Sequence, residues 1–445
     1  MKQISNTFRK YNLPETLLVV TSYPEKGVKY SDKVCAVGGF AKNTLEGMKK
    51  EWGARGEQKS LVILTVQTGE TNEIYEENGA LIIRCIKRNS PRSFLGLIRF
   101  LVKFNKVREV LWEFEFASFG GVKMSLGSLF TLWFLGLWGK KIVLVLHQVV
   151  FDLASLSGHV GMKKRSLKLS FFEQGLKGFY RLLCLPVYKV VVLEQEFLNR
   201  LGAVVTKEKI EVIPHGVDGN LQPINKCLAR KSLGIGDNEK VVLYFGYLTW
   251  YKGVDWLIEN LGGKGLRLIV AGGPSFTQKD KEHYKKFYGK VLELAKEKKV
   301  EVTGFLPEDK IKTYFSACDM LVLPYRTFMS SSGPLSMAIA YNRPFMVSKP
   351  MNRILNTGDF REALVESGLT ASDVVFDLKR EAYGKLVKRL NDKDLMKKLA
   401  KLASLMKDKR DFYNLAGKYV RSWEEAAIGK RESVQPVTNF EPVVG

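Results

Sequence analysis

The stretch VVLYFGYLTWYKGVDWLI, residues 241–258, decides the fold. It opens as a buried strand of β-branched and aromatic residues, breaks at Gly246, and resumes as a helical pattern just after Lys252. A strand that is apolar on both faces needs cover on both sides, which parallel sheets flanked by helices provide. The same grammar recurs in LRLIVAGG (266–273) and in DMLVLPY (319–325), which runs into RTFMSSSGPLSMAIAYNRP.

Working outward, two sets of such strands appear. TLLVVTSY, LVILTV, LIIRCI, EVLWEFEF, KIVLVLHQ, KVVVLE and IEVIPHG form the first. KVVLYFG, LRLIVAGG, VEVTGF, MLVLPY, RPFMVS and DVVFD form the second. The spacing predicts two doubly wound α/β domains. Their boundary is expected near EVIPHGVDGNLQP (211–223), where Pro and Gly cluster. The expected division is 1–210, 211–408 and a terminal segment 409–445 that contains a long amphipathic helix.

Open parallel sheets bind ligands beyond the carboxyl ends of their strands. Gly246 removes a side chain at such an end, and Lys252 brings a cation to the same place. On its own this spacing also fits a surface lysine beside a turn. The run SSSGPLSMAIAYNRP changes that reading. Pro334 suits the first helical position with Gly333 as cap, leaving the N–H groups of Leu335 and Ser336 to face an anion. Ser331 and Ser332 add hydroxyls, and Gly272 and Gly273 offer a third close approach. Glu113 and Glu115 lie two apart on one strand face and fit either acceptor hydroxyl contacts or an edge charge pair.

The chain has 445 residues, is 45% hydrophobic and 26% charged, and carries a formal net charge of +24. So basic a chain implies an anionic partner, such as phosphorylated substrate, nucleic acid or membrane surface. Cys35, Cys85, Cys184, Cys227 and Cys318 are scattered with no C-x-x-C pair, which indicates neither a disulfide framework nor a zinc site. His159, His215 and His283 are dispersed, and the D-x-D at Asp392–Asp394 sits in a charged helical region, so no metal site is expected. No G-x-G-x-x-G follows a strand and no G-x4-G-K-[ST] occurs, which lowers dehydrogenase and P-loop readings. No nucleic-acid module is visible, so nucleic acid is not an expected partner. SLGSLFTLWFLGLW (125–138) is too short to span a bilayer comfortably and reads as a buried or interfacial helix. Residues 161–189 mix Lys and Arg with Phe, Leu and Tyr, the make-up of an interfacial basic helix, or of one packed on the sheet. With no apolar signal core before the first strand, a cytoplasmic protein, peripheral at the inner membrane face, is the expectation.

Several motifs in sequence order resemble the retaining GT-B glycosyltransferases of family 4. VIPHGVD (212–218) resembles their interdomain segment, and YFGYLTWYKGVDWLI the loop with the phosphate-binding Lys. AGGP, VTGFLPEDKIKTYFSACDMLVLPY and PLSMAIAYNRPFMVS follow in the family's order, while AVGGFAKNTLEGMKKEW (36–52), EFEFASFGG and LVLHQVVFD resemble N-terminal motifs. The resemblance implies two Rossmann-like domains across a cleft and a UDP- or GDP-hexose as co-substrate, with no cofactor and no metal. It implies a glycan or lipid-linked acceptor. Lys252 would neutralise the diphosphate with Gly246, Tyr247, Gly272, Gly273, Ser331, Ser332 and Gly333 around it. Leu306 would contact the base, Gly38 and Gly39 would let a loop close over the phosphates, and His147 would lie near the donor sugar. The chain departs from the family in two places: Tyr247 stands where many members have Arg, and Met329 and Met337 where many have paired Glu. An inactive relative serving as a nucleotide-sugar- or membrane-binding partner subunit is therefore the alternative.

Overall fold

A computed structural model of the chain describes residues 2–31, 33–160, 167–379 and 381–432. The first set of strands is β1 (Leu17–Val20), β2 (Leu61–Val66), β3 (Glu73–Glu77), β4 (Ala80–Ile86), β5 (Glu109–Phe114), β6 (Lys141–Leu146), β7 (Lys189–Val192) and β8 (Ile210–Val212). They form one sheet in the order β3-β4-β2-β1-β5-β6-β7-β8. The second set is β9 (Val241–Phe245), β10 (Arg267–Ala271), β11 (Glu301–Val302), β12 (Met320–Leu323), β13 (Phe345–Ser348) and β14 (Val375–Phe376), in the order β11-β10-β9-β12-β13-β14. All pairings are parallel except that of β3 with β4. Two doubly wound sheets facing across a cleft make this a GT-B fold.

Every residue of β1, β2, β4, β12 and β13 is buried, which is why these strands read as largely apolar runs; the charged exception, Arg84 in β4, donates to Tyr23 O and Val66 O, each at 3.1 Å. β3 escaped the sequence reading because EIYEE is polar and half exposed. It is an edge strand folded back on β4 through Asn78 and Gly79, whose φ angles of 49° and 73° suit the tight turn of a two-residue hairpin. β8 pairs with β7, so the first sheet runs to Val212, two residues past the expected limit at 210.

Two chain crossings join the domains side by side. The Val217 N–H donates to Arg410 O at 2.7 Å, and the Phe412 N–H donates to Val217 O at 3.0 Å. The helix Phe412–Glu432 then returns to the first domain. Its Leu415, Ala416, Tyr419 and Val420 share one core with Phe40, Ala41, Leu45 and Met48 of the helix Val37–Ala54. Gly47 permits that approach, since a Cβ there would lie 2.8 Å from Phe412 O.

The helix Val122–Leu137 buries Leu129, Leu132 and Leu135 and turns Phe130 and Leu137 outward. It packs against the helix Leu167–Cys184, whose Phe171 and Leu182 are also exposed. Residues 161–166 of the basic segment lie outside the described residues. Among the described residues no helix is long and apolar enough to cross a membrane.

Candidate active site

The carboxyl ends of both sheets open on one cavity of about 300 Å³ between the domains. Lys252 is built into its wall. β9 ends at Phe245, a short 3-10 turn runs Trp250–Lys252, and the helix Val254–Leu261 starts through Gly253. Gly253 has φ 69°, and a Cβ there would lie 2.0 Å from Pro324 O, so only glycine fits. Arg326, just past β12, holds the turn: it donates to Trp250 O at 2.7 Å and grips both oxygens of Asp255 at 2.7 and 2.8 Å. Gly246, at φ 121°, lies against the Lys252 ammonium, which a Cβ would approach to 2.9 Å. The loss of a side chain at Gly246 therefore makes room for the lysine itself as well as for a ligand.

Lys252 is 7% exposed and has no carboxylate partner among the described residues. Burial lowers its pKa to about 8, with Glu115 opposing. Its ammonium lies 6.0 Å from the Tyr247 ring centroid and 5.7 Å from that of Tyr325. A buried cation without a counter-ion is costly unless a ligand supplies the negative charge.

Two helices aim their N-termini at this space. Ser332 caps the helix Gly333–Ala340, its hydroxyl accepting from the Leu335 N–H at 3.3 Å. The cap thus falls one residue earlier than the sequence reading placed it. The Leu335 N–H is consumed by the cap and the Ser336 N–H by Ser332 O at 3.0 Å, so neither is a free donor. Leu335 is buried away from the cavity. Gly333, Ser331 and Ser336 line it, and Ser331 Oγ is buried without a partner. The second helix is Val37–Ala54, with Ala36, Val37 and Gly39 at the cavity. Gly38 and Gly39 are helical, which corrects the expectation of a closing loop. Gly39 is small because a Cβ would lie 2.9 Å from the Tyr30 ring, and Gly38 packs on Val34 and Pro24 outside the cavity.

Gly272, Gly273 and Leu306 line the cavity. The two glycines serve backbone packing: a Cβ on Gly272 would lie 2.0 Å from Gly246 O, and one on Gly273 2.7 Å from Phe305 N. From the first domain come His147, after β6, and Glu115, after β5. Burial raises the Glu115 pKa, against the pull of His147, Arg88 and Lys252. Glu113 does not face the cavity, which corrects its reading as an acceptor contact. It is fully buried behind His147, its Oε2 accepting from Thr21 Oγ1 at 2.7 Å and standing 3.7 Å from His147 Nε2. The strand alternation placed both glutamates on one face, but β5 ends at Phe114 and Glu115 leaves the pleat.

His215 and His159, set aside as dispersed, also line the cavity. Burial lowers each to about 4, so both are neutral near pH 7. His215 Nδ1 is 2.8 Å from Gly216 O and 2.9 Å from Ser336 Oγ. A carbonyl only accepts, so Nδ1 carries the proton. The signal for His215 was its place at the end of β8, within the crossing segment.

Residues 226–340 match the family of glycosyl transferases group 1. That segment holds the Lys252 turn, the paired glycines and the serine-capped helix. An uncharacterised glycosyltransferase of Methanocaldococcus jannaschii is 26% identical over 196 residues, 36% of this chain and 48% of that protein. The chain thus spans about half the length of this relative. Among solved structures, the sucrose-phosphate synthase of Thermosynechococcus elongatus superposes with a TM-score of 0.69 at 13% identity, covering 93% of this chain and 99% of that one. HepE of Anabaena, in complex with UDP-glucose, superposes at 0.60 with 15% identity, covering 92% and 99%. At these identities the likeness is one of fold.

Proposed function

We propose that the chain is a retaining, metal-independent glycosyltransferase that moves a hexose from a UDP- or GDP-sugar to a hydroxyl of a glycan or lipid-linked acceptor. The observation that carries this reading is Lys252: a buried cation without a counter-ion, in the cleft of a GT-B fold, with two helix N-termini at the same cavity. The match of residues 226–340 and the UDP-glucose held by the HepE structure support it.

In the proposed reaction the bond from the anomeric carbon to the leaving phosphate oxygen breaks. A bond from the acceptor oxygen forms on the same face, and the acceptor proton passes to the departing phosphate. Negative charge grows on the diphosphate as this happens. Lys252, the Gly333 N–H and the first turn of Val37–Ala54 are aimed at it beforehand, which favours the transition state over the ground state. The test is a thermal-shift screen across nucleotide sugars, followed by NMR of the product anomer with and without EDTA. Inversion, or activity lost in EDTA and restored by magnesium or manganese, would refute the respective part.

We place the enzyme at an anionic membrane surface. Phe130 and Leu137 on one helix, Phe171 and Leu182 on its neighbour, and exposed Arg181 make an apolar and basic outer face. The alternative, an inactive partner subunit, draws on Met329 and Met337, which line the cavity where resemblance would place carboxylates. Donor hydrolysis or transfer by the purified chain separates the two readings.

A further inference from the structure

Arg88 follows β4 at the carboxyl edge of the first sheet. Its loop is locked to the one after β5. Asn89, at φ 59°, accepts from the Gly121 N–H at 3.1 Å through Oδ1 and donates its own N–H to Phe119 O at 3.0 Å. Gly120, at φ 135°, is required there, since a Cβ would lie 2.2 Å from Asn89 Oδ1. The loop therefore presents Arg88 rigidly. The guanidinium carbon lies 4.2 Å from the ring centroid of Phe276, which belongs to the other domain and lines the cavity. Lys279 brings a second cation to the same ring, at 5.7 Å. The Phe276 loop is also fixed: the Ser275 N–H donates to Tyr284 OH at 2.7 Å, and that hydroxyl donates to Leu248 O at 2.9 Å.

Neither cation is in an ion pair among the described residues, although Glu115 and Asp280 lie near enough to Arg88 to act on its charge. Arg88 Nε is buried without a hydrogen-bond partner, and NH2 reaches only Ala117 O at 3.4 Å. An arginine against an aromatic face keeps its edge donors for a bidentate oxyanion. Glu115 is near enough to Arg88 and to Lys252 to act on the charge of both. Lys252 lines the cavity, whereas Arg88 and Lys279 meet it through the Phe276 ring, which leaves them for an anion other than a diphosphate held at Lys252.

We propose that Arg88 and Lys279, one from each domain on the ring of Phe276, form a clamp for an oxyanion carried by the acceptor, a phosphate ester or a carboxylate. This rests on the glycosyltransferase reading and narrows its acceptor to an anionic one. Binding that oxyanion draws the two domains together at the cleft mouth, so the acceptor itself completes closure over the donor.

The full chain is saturated with UDP, and its melting temperature is followed as glucose 6-phosphate, glucuronate or glucose is added. The clamp predicts a further rise with an anionic sugar and none with glucose. A larger rise with glucose 6-phosphate assigns a phosphate ester, and one with glucuronate a carboxylate. Arg88→Met should weaken the anionic response roughly tenfold or more in apparent Kd while keeping the UDP shift, and Arg88→Lys should restore part of it. Lys279→Met should weaken it less. Equal responses to all three sugars, including none at all, overturn the clamp, as does an unchanged anionic response in Arg88→Met. If UDP gives no shift, the nucleotide reading fails by itself, and the sugar titrations, run without UDP, still decide the clamp.

Discussion

In the proposed reaction Lys252 carries most of the charge stabilisation. Lys252→Ala should cut turnover by about 10²–10³, the range for losing one preorganised charge or donor. Its melting temperature should not fall, because the lysine has no ion pair to lose. Lys252→Arg should recover only part, since a planar fork does not replace a point ammonium. The pH dependence follows from burial, which lowers this amine to about 8. In the free protein the charge disappears as pH rises through that value, so kcat/KM should fall above about pH 8. In the donor complex the diphosphate restores the charge, so kcat should hold to higher pH. Stability moves the other way. An unfolded lysine titrates near 10.5, so between about 8 and 10.5 the unfolded chain binds the extra proton, and this group makes stability rise with pH. Parallel pH profiles for kcat and kcat/KM would refute this assignment. Of the residue-scale site, Lys252 and Gly246 were legible because strand-end positions stand out in an apolar pattern, while His147 was singled out only by the family resemblance. His215 was passed over although it follows β8 in the crossing segment, and Arg88 was not legible, since nothing along the chain tells a lone polar residue which cavity its loop will reach.

Single elements carry the next level. Ser332 ties the helix Gly333–Ala340 to β12 through Tyr325, whose hydroxyl lies 3.2 Å from Ser332 Oγ, while Ser348 Oγ donates to Tyr325 O at 2.5 Å. Ser332→Ala should cost about 0.5–2 kcal/mol by chemical denaturation, the usual loss for an N-cap. It should also weaken UDP binding, because the first turn loses its fixed direction. Ser332→Gly should cost only a few tenths of a kcal/mol. Equal UDP affinity in Ser332→Ala and the parent would show that this helix end is not a phosphate site. The central strands were readable because burial makes each a largely apolar run. The cap was misplaced by one residue because Ser-Gly-Pro allows either Ser332 or Gly333 to precede the first turn. Only the hydrogen bond to Leu335 decides between them. The polar β3 carried its signal in Asn78–Gly79 rather than in its own residues.

At the scale of the molecule, the helix Phe412–Glu432 makes the first domain depend on the far end of the chain. Gly47→Val should force it away from Val37–Ala54 and destabilise by about 1–3 kcal/mol, the cost of overpacking, seen as a lower melting temperature. The net charge of +24 and the exposed face around Phe130 and Phe171 predict salt-sensitive flotation with anionic liposomes. Each basic residue near that surface adds about 1 kcal/mol. Flotation that is equal on neutral and anionic vesicles, or absent from both, would contradict the membrane reading.

The sequence by itself determined the parallel strands of the two sheets, because apolar runs that alternate with helical segments are covered by helices on both faces. It also determined that a glycine, a lysine and a serine-rich turn stand at strand ends, since those are spacings along one chain. Tertiary structure alone decided which of these meet. Glu113 and Glu115 are two residues apart, yet one is sealed behind His147 and the other faces the cleft, because the strand ends between them. Arg88 and Phe276, nearly two hundred positions apart, touch only because two domains close on each other. Periodicity encodes which face of an element is buried. It carries no record of which element lies opposite, and that partner sets the charge, the desolvation and hence the chemistry of the cleft.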